Sequence, residues 1–196
     1  MSSEGNKSSS GLVNIGSLYE ISSPDAECWD LKLGSMFRAA LAVRQNAQAP
    51  YSKFLVGAAV ESEKGNVYVG CNVERCSYSQ GTHAEQNAVD TMIAVEGSVK
   101  IKRLVLAGAM SGDNIPIEYH GRAHSGICGC DSKLVLSCGH CRQIIWENCL
   151  GDKSVRIYTL SMSGHVFQIN IGDLYPFPFG PEDIGVKYGN IGGQNG

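Results

Sequence analysis

KFLVGAAVESEKGNVYVGCN, residues 53–72, reads as two strands, 53–61 and 66–72, joined by a turn around Lys64, Gly65 and Asn66. Downstream, HAEQNAVDTMIAVE at 83–96 sets Ala84, Ala88, Met92 and Val95 at helical spacing, with Thr82 placed to cap the helix. IKRLVLAGA at 101–109 follows as a third strand. Upstream, Leu31, Leu33, Met36, Phe37, Ala40, Leu41 and Val43 form a broad apolar face over 30–48, a helix that Pro50 stops. Further on, KLVL (133–136) reads as an apolar strand-like run, and 139–149 as a short helix carrying Ile144, Ile145 and Trp146. SVRIYTL (154–160) and HVFQINI (165–171) read as the last strands. Strands alternating with helices predict an α/β domain.

The 196 residues read as one domain. A 43% hydrophobic and 18% charged composition is too apolar for a disordered chain. No apolar run approaches the ~18 residues of a membrane-spanning helix. The net charge of −3, with no basic and aromatic patch, argues against a nucleic-acid partner. Residues 1–28 are expected to be a flexible or draped extension, 29–187 the domain, and 188–196 a flexible tail. The start of the chain, MSSEGNKSSSGLVNIG, lacks a charged segment followed by an apolar one, so a cytoplasmic location is expected. In a reducing compartment eight cysteines suggest metal binding or catalysis before disulfides.

Two segments carry chemistry: THAEQ at 82–86 and SCGHCRQ at 137–143. A histidine alone is more often a satisfied core or surface residue. A C-x-x-C alone is as often a structural half-site or redox pair as a catalytic feature. Together they resemble the H-x-E and P-C-x-x-C signature of zinc deaminases. His83, Cys138 and Cys141 make three ligands, which suits a catalytic zinc with one open position; a structural zinc takes four. Cys138 and Cys141, at i and i+3, lie on one side of a helix or turn. Each segment opens a predicted helix, whose N-terminus favours negative charge. Glu85 is then a proton shuttle: it takes a proton as hydroxide generated at the metal attacks C4 of a cytosine ring, then protonates N3 and the leaving amine.

APYSKFLVGAA at 49–59, GCNVE at 70–74 and FGPEDI at 179–184 further resemble the motifs of cytidine deaminases of nucleoside salvage. That resemblance covers about residues 30–187 apart from an insert at 110–132. It implies a three-layer α/β/α sandwich around a mixed five-stranded sheet and one Zn2+ per chain. The implied activity is hydrolysis of cytidine and deoxycytidine to uridine and deoxyuridine with release of ammonia. By the same resemblance Phe54 packs on the pyrimidine, Asn72 and Glu74 bind ribose hydroxyls, and the backbone of Ala84 contacts the base carbonyl. Tyr78 and Phe179 line sites across subunit boundaries. Glu74 disfavours a phosphate, which points to nucleosides. A modified cytosine nucleoside, a nucleotide, or a non-catalytic zinc-binding role are the alternatives, and an intact Glu85 argues against the last.

The chain departs from the family pattern in places. Ser137 stands where the family usually has Pro before the first Cys. The tetrameric branch commonly has Cys at the position of His83 and Arg at that of Gln86. Zinc with two thiolates and a neutral His is net zero, whereas three thiolates leave −1 and need a cation, so His83 with Gln86 resembles the dimeric branch. That branch carries a second domain for which this chain has no room, and the nine-residue step from Glu74 to His83 fits the tetrameric one. A homotetramer is therefore expected, with a homodimer as the alternative. The insert holds His120, His124, Cys128 and Cys130, which offer four N/S donors for a second, structural zinc; a surface loop with incidental residues is the favoured reading, because Cys-x-Cys is unusual for tetrahedral sites.

Overall fold

The computed structural model describes residues 12–15, 18–21, 30–115, 134–161 and 164–188. The elements in order are β1 (Leu12–Ile15), β2 (Leu18–Ile21), α1 (Leu31–Arg44), β3 (Phe54–Ser62), β4 (Val67–Cys71) and α2 (Ala84–Glu96). After these come β5 (Ile101–Met110), α3 (Gly139–Asn148), β6 (Arg156–Leu160), β7 (Val166–Asn170) and a short α4 (Ile171–Leu174). The strands form one sheet in the order β1-β2-β7-β6-β5-β3-β4. β5 and β6 are parallel, with Leu104 beside Ile157, and the remaining neighbours are antiparallel.

The five strands β7 to β4 are the mixed sheet expected. The N-terminal segment lengthens it to seven: β1 and β2 form a hairpin whose second strand pairs with β7, Glu20 opposite Phe167. These residues are joined edge-on to the sheet, where a flexible or draped extension was expected. The expected tail after 187 is described only as far as Tyr188.

Alternation along the strands separates two apolar layers. Leu33, Met36, Phe37, Ala40 and Leu41 of α1 pack with Ala59, Val105, Ala107 and Tyr158 on one face. Ala88, Val89 and Met92 of α2, with Ile145 and Trp146 of α3, pack with Ala58, Val60, Leu104 and Ile157 on the other. This is the α/β/α sandwich. Two glycines permit the close approach of helix to sheet: a Cβ on Gly57 would collide with α1 at the Ala40 carbonyl, and one on Gly70 with the α2 backbone at Ala84 and Ala88. At one end of the sheet the fully buried Glu61 pairs with Lys32 (3.0 Å), Lys102 (3.2 Å) and Arg103. Burial alone would raise that carboxyl, but the three cations hold it below its ordinary range.

The expected strand at 133–136 does not form: residues 134–138 are irregular. β5 already has β3 and β6 on its two sides, so an apolar run arriving there finds no free edge. It crosses the strand ends instead, with the Val135 carbonyl accepting from Thr159 Oγ1 at 2.6 Å and its side chain 3.1 Å from where a Cβ on Gly108 would be. The helix expected over 30–48 ends at Arg44, because the chain then turns to pair Gln48 with Val73. The cap of α2 is His83, not Thr82. His120, His124, Cys128 and Cys130 lie outside the described residues.

Candidate metal centre

α2 leads into β5 and α3 into β6, and these two strands are adjacent and parallel. Both helices therefore begin at the same end of the sheet, outside the carboxyl ends of β5 and β6. Each is capped by a residue of the expected ligand set in extended backbone: His83 (φ −85°, ψ 157°) and Cys138 (φ −71°, ψ 171°). Neither side chain is spent on a cap hydrogen bond, so both are free to face each other. Arg142 fixes the start of α3 by donating from Nε to the Ser137 carbonyl at 2.7 Å and from Nη1 to the Leu174 carbonyl at 3.2 Å. Asn87 fixes the start of α2 against the Cys71 carbonyl at 2.6 Å.

His83 Nδ1 lies 3.3 Å from both Cys138 Sγ and Cys141 Sγ. All three donor atoms fall within 4.8 Å of one another. Two ligands on one tetrahedral zinc, with Zn–S ≈ 2.3 Å and Zn–N ≈ 2.0–2.1 Å, stand about 3.5 Å apart, so the set fits zinc. The donor chemistry agrees. Burial pushes the Cys141 thiol far above its ordinary range, and the Glu85 carboxylate and Cys138 push it further. Two thiols and a carboxylate gathered at one point call for a cation to draw the protons off. Glu85, only 5% exposed, sits in the first turn of α2 beside Cys141 without belonging to the ligand cluster.

A cleft of about 480 Å3 opens beside His83, lined by Tyr51, Asn72, Glu74, Arg75, Tyr78 and Thr82 among others. Glu74 accepts from the backbone N–H of Tyr51 (2.9 Å) and Ser52 (3.2 Å). The Ser52 hydroxyl first, then these N–H groups and Lys53, hold its carboxyl below the usual carboxylate range. Asn72 ties β4 to the start of β3: its Oδ1 accepts from Val56 N at 2.8 Å and its Nδ2 donates to the Phe54 carbonyl at 2.9 Å. One amide N–H remains for a ligand. Tyr78, 77% exposed and at φ 56°, sets its ring 5.8 Å from that of Tyr51 at the mouth of the cleft. Ala84 is fully buried at the first position of α2.

Two of the expected residues stand apart. Phe54 lines a neighbouring cavity of about 450 Å3 with Gly108, Val135 and Leu136. Phe179 is 60% exposed on the C-terminal segment, its carbonyl accepting from Gln143 Nε2 at 2.7 Å, and it lines neither cavity within one chain. The sequence reading missed Tyr51, Arg75 and the pair Gln86–His140. Gln86 and His140 sit inside the two quoted motifs, so their closeness to the ligands was the available signal. Their contact joins segments far apart in sequence and needed the fold.

The family described as "Cytidine and deoxycytidylate deaminase zinc-binding region" matches residues 32–158. A cytidine deaminase of Sporosarcina psychrophila is 32% identical over 141 residues, covering 72% of this chain and 86% of that protein. One of Mycobacterium tuberculosis is 30% identical over 161 residues, covering 82% and 96%. The crystal structure of cytidine deaminase from Burkholderia pseudomallei superposes with a TM-score of 0.57 at 30% identity, over 74% of this chain and 97% of that one. That of Mycobacterium tuberculosis gives 0.54 at 26% identity, over 77% and 99%. With the ligand triad, the buried carboxylate and the sandwich that positions them, these matches show that the chain belongs to the cytidine and deoxycytidylate deaminase family.

Proposed function

We propose that the protein hydrolyses cytidine and deoxycytidine to uridine and deoxyuridine, consuming one water and releasing one ammonia. The observation that carries this reading is His83 Nδ1 at 3.3 Å from both thiols with Glu85 buried beside them. His83, Cys138 and Cys141 would hold one zinc ion. When bound, zinc supplies a Lewis acid that lowers the pKa of water to about 7. Glu85 carries the protons: it takes one from the attacking water and delivers it to N3 of the pyrimidine as C4 becomes tetrahedral, then takes the second from the C4 hydroxyl and delivers it to the departing amine. Its burial excludes bulk water from that relay. Asn72 and Glu74 offer an amide N–H and a carboxylate to a ribose diol, Phe54 packs on the pyrimidine, and the backbone at Ala84 contacts the base carbonyl. The cleft volume suits a small ligand, within the ~300–1,000 Å3 of such sites.

The protein acts as a homotetramer in this reading. Phe177 (92% exposed), Phe179 and Ile184 on the C-terminal segment, and Tyr78 beside the cleft, are apolar groups that other subunits would cover, with Tyr78 and Phe179 lining sites across the boundaries. No helix among the described residues is long and apolar enough to cross a membrane. The five cysteines among the described residues form no disulfide with one another, which suits a reducing, cytoplasmic setting.

Loss of the cytidine ultraviolet band on adding zinc-loaded protein tests the activity, with deoxycytidine and deoxycytidylate in parallel. Turnover of both nucleosides and not the nucleotide is expected. Turnover of the nucleotide alone would replace the substrate class, and silence on all three with zinc bound would overturn the activity. Light scattering tests the tetramer.

A further inference from the structure

The three zinc ligands come from two helices, His83 from the start of α2 and the cysteines from the start of α3, 55 positions later. A second contact joins the same two helix ends. Gln86, in the first turn of α2, accepts at Oε1 from His140 Nε2–H of α3 at 3.2 Å. The His140 ring stands edge-on to the His83 ring, centroids 5.7 Å apart and planes at 70°. That is a favoured arrangement of two aromatic rings.

His83 turns Nδ1 toward both sulfurs, which leaves Nε2 on the far side of its ring. A metal-bound histidine is normally fixed by an acceptor on its other nitrogen. Among the described residues no hydrogen bond reaches His83 Nε2. The torsion that sets an imidazole plane is broad, so an unbraced ring on an exposed side chain would rotate Nδ1 away from the thiols. The ring of His140 stands against it, and His140 is in turn tethered across the gap by Gln86.

We infer that His140, held by Gln86, is a positioning residue for the zinc site: it orients the His83 imidazole and cross-braces the two helices that supply the ligands. This inference rests on the zinc reading above. The brace replaces a hydrogen bond to Nε2 by a ring contact. It also ties the histidine half of the site to the cysteine half before metal arrives, so less ordering is left for the metal to impose.

Chelator competition for Zn2+ tests it, on the wild type, His83→Ala, His140→Ala, Gln86→Ala and the double variant His140→Ala/Gln86→Ala. Neither His140 nor Gln86 is buried, so the variants should fold. Each single brace variant is expected to weaken zinc binding about 10–100-fold, the range seen for groups that orient metal ligands. The double variant should be little weaker than the worse single one, because the pair acts as one device. The unfolding midpoint of the zinc-free protein should fall by less than that of the zinc-loaded protein in all three. Zinc affinity within twofold of wild type in both single variants overturns the brace, as do losses that multiply in the double variant. A zinc-free midpoint that falls as far as the zinc-loaded one does so too, since it marks a purely structural contact. Failure of the underlying reading looks different: the wild type then binds no zinc, or binds it as well after His83→Ala.

Discussion

Arg44 Nη2 donates to the Met110 carbonyl at 3.0 Å from a side chain that is 2% exposed, across the seam between α1 and the end of β5. The same guanidinium donates from Nε to the Leu55 carbonyl at 3.0 Å and reaches the Asp113 carbonyl from both terminal nitrogens. No carboxylate lies within ion-pair distance of it among the described residues, so its role is to satisfy backbone acceptors where β3 starts and β5 stops. Replacing it with Met keeps the apolar stem and removes the guanidinium from three carbonyls, of which that of Met110 still accepts from the Asp113 backbone N–H at 3.1 Å. Arg44→Met is therefore expected to cost about 1–3 kcal/mol, the worth of hydrogen bonds from a buried charged group, with partial rescue by water at the exposed Met110 and Asp113. Denaturant unfolding measures it. A loss below about 0.5 kcal/mol would mean that water replaces the guanidinium completely.

Nothing in the local sequence announces Arg44. It lies at the end of an apolar helical pattern, and its partners are carbonyls, which leave no trace in residue type. The failed strand at 133–136 has the same origin: Leu134, Val135 and Leu136 are apolar because they are packed, and only the sheet order reveals that β5 has no free edge for them. The strands flanking Gly65 and the helices were legible because period 2 and period 3.6 are written in local composition. The ligand triad and Glu85 were legible for another reason: zinc chemistry restricts its donors to few residue types at fixed spacings. Asn72 and Glu74 were singled out by the resemblance of GCNVE at 70–74 to a family motif, and their bonds to the backbone around Tyr51, Phe54 and Val56 were not legible. The His140–Gln86 contact depends on two helix ends meeting, which is set by the parallel pairing of β5 with β6.

Asp152 gives a pH-dependent test of the turn before β6. The hydroxyl and backbone N–H of Ser154, then Lys100 at 3.0 Å, hold its carboxyl at about 2 against an ordinary 3.8. A depressed folded-state pKa means stability that is present above the unfolded value and lost as pH falls from about 4 toward 2. The side chain is 35% exposed, so solvent screening reduces the contribution to about 1 kcal/mol. Asp152→Asn should lower stability by that amount at pH 7, and the gap to wild type should close below pH 4. A gap that is constant from pH 7 to pH 3 would show that the charge contributes nothing.

In the proposed mechanism Glu85 moves protons and does not bind metal, and the two roles separate on substitution. Glu85→Gln keeps the shape of the side chain and removes the base. Turnover of cytidine should fall by about 10²–10⁴-fold, the usual contribution of a positioned acid–base group. Zinc content should remain one per chain, because the ligand cluster is His83, Cys138 and Cys141. Metal analysis alongside kcat decides the matter: zinc lost together with activity would make Glu85 a ligand.

Glu74 and Asn72 both face the cleft, yet their attachments predict different failures. The bonds of Glu74 are to the exposed turn at Tyr51 and Ser52, and a glutamine there keeps an acceptor for one of those N–H groups while losing the charge. Glu74→Gln should reduce kcat/KM for cytidine by about 10–100-fold, the worth of a charged hydrogen bond to a substrate hydroxyl, with the unfolding midpoint unchanged. Asn72 instead spans β4 and β3 through Val56 N and the Phe54 carbonyl. Asn72→Ala leaves both without a partner, so it should lower kcat/KM and also cost about 1–3 kcal/mol of stability. Steady-state kinetics and thermal unfolding on the two variants separate these effects. If Glu74→Gln turned over cytidine as wild type does, its carboxylate would serve only to cap the turn at Tyr51 and Ser52, and recognition of the ribose would fall to Asn72 and to residues of neighbouring subunits.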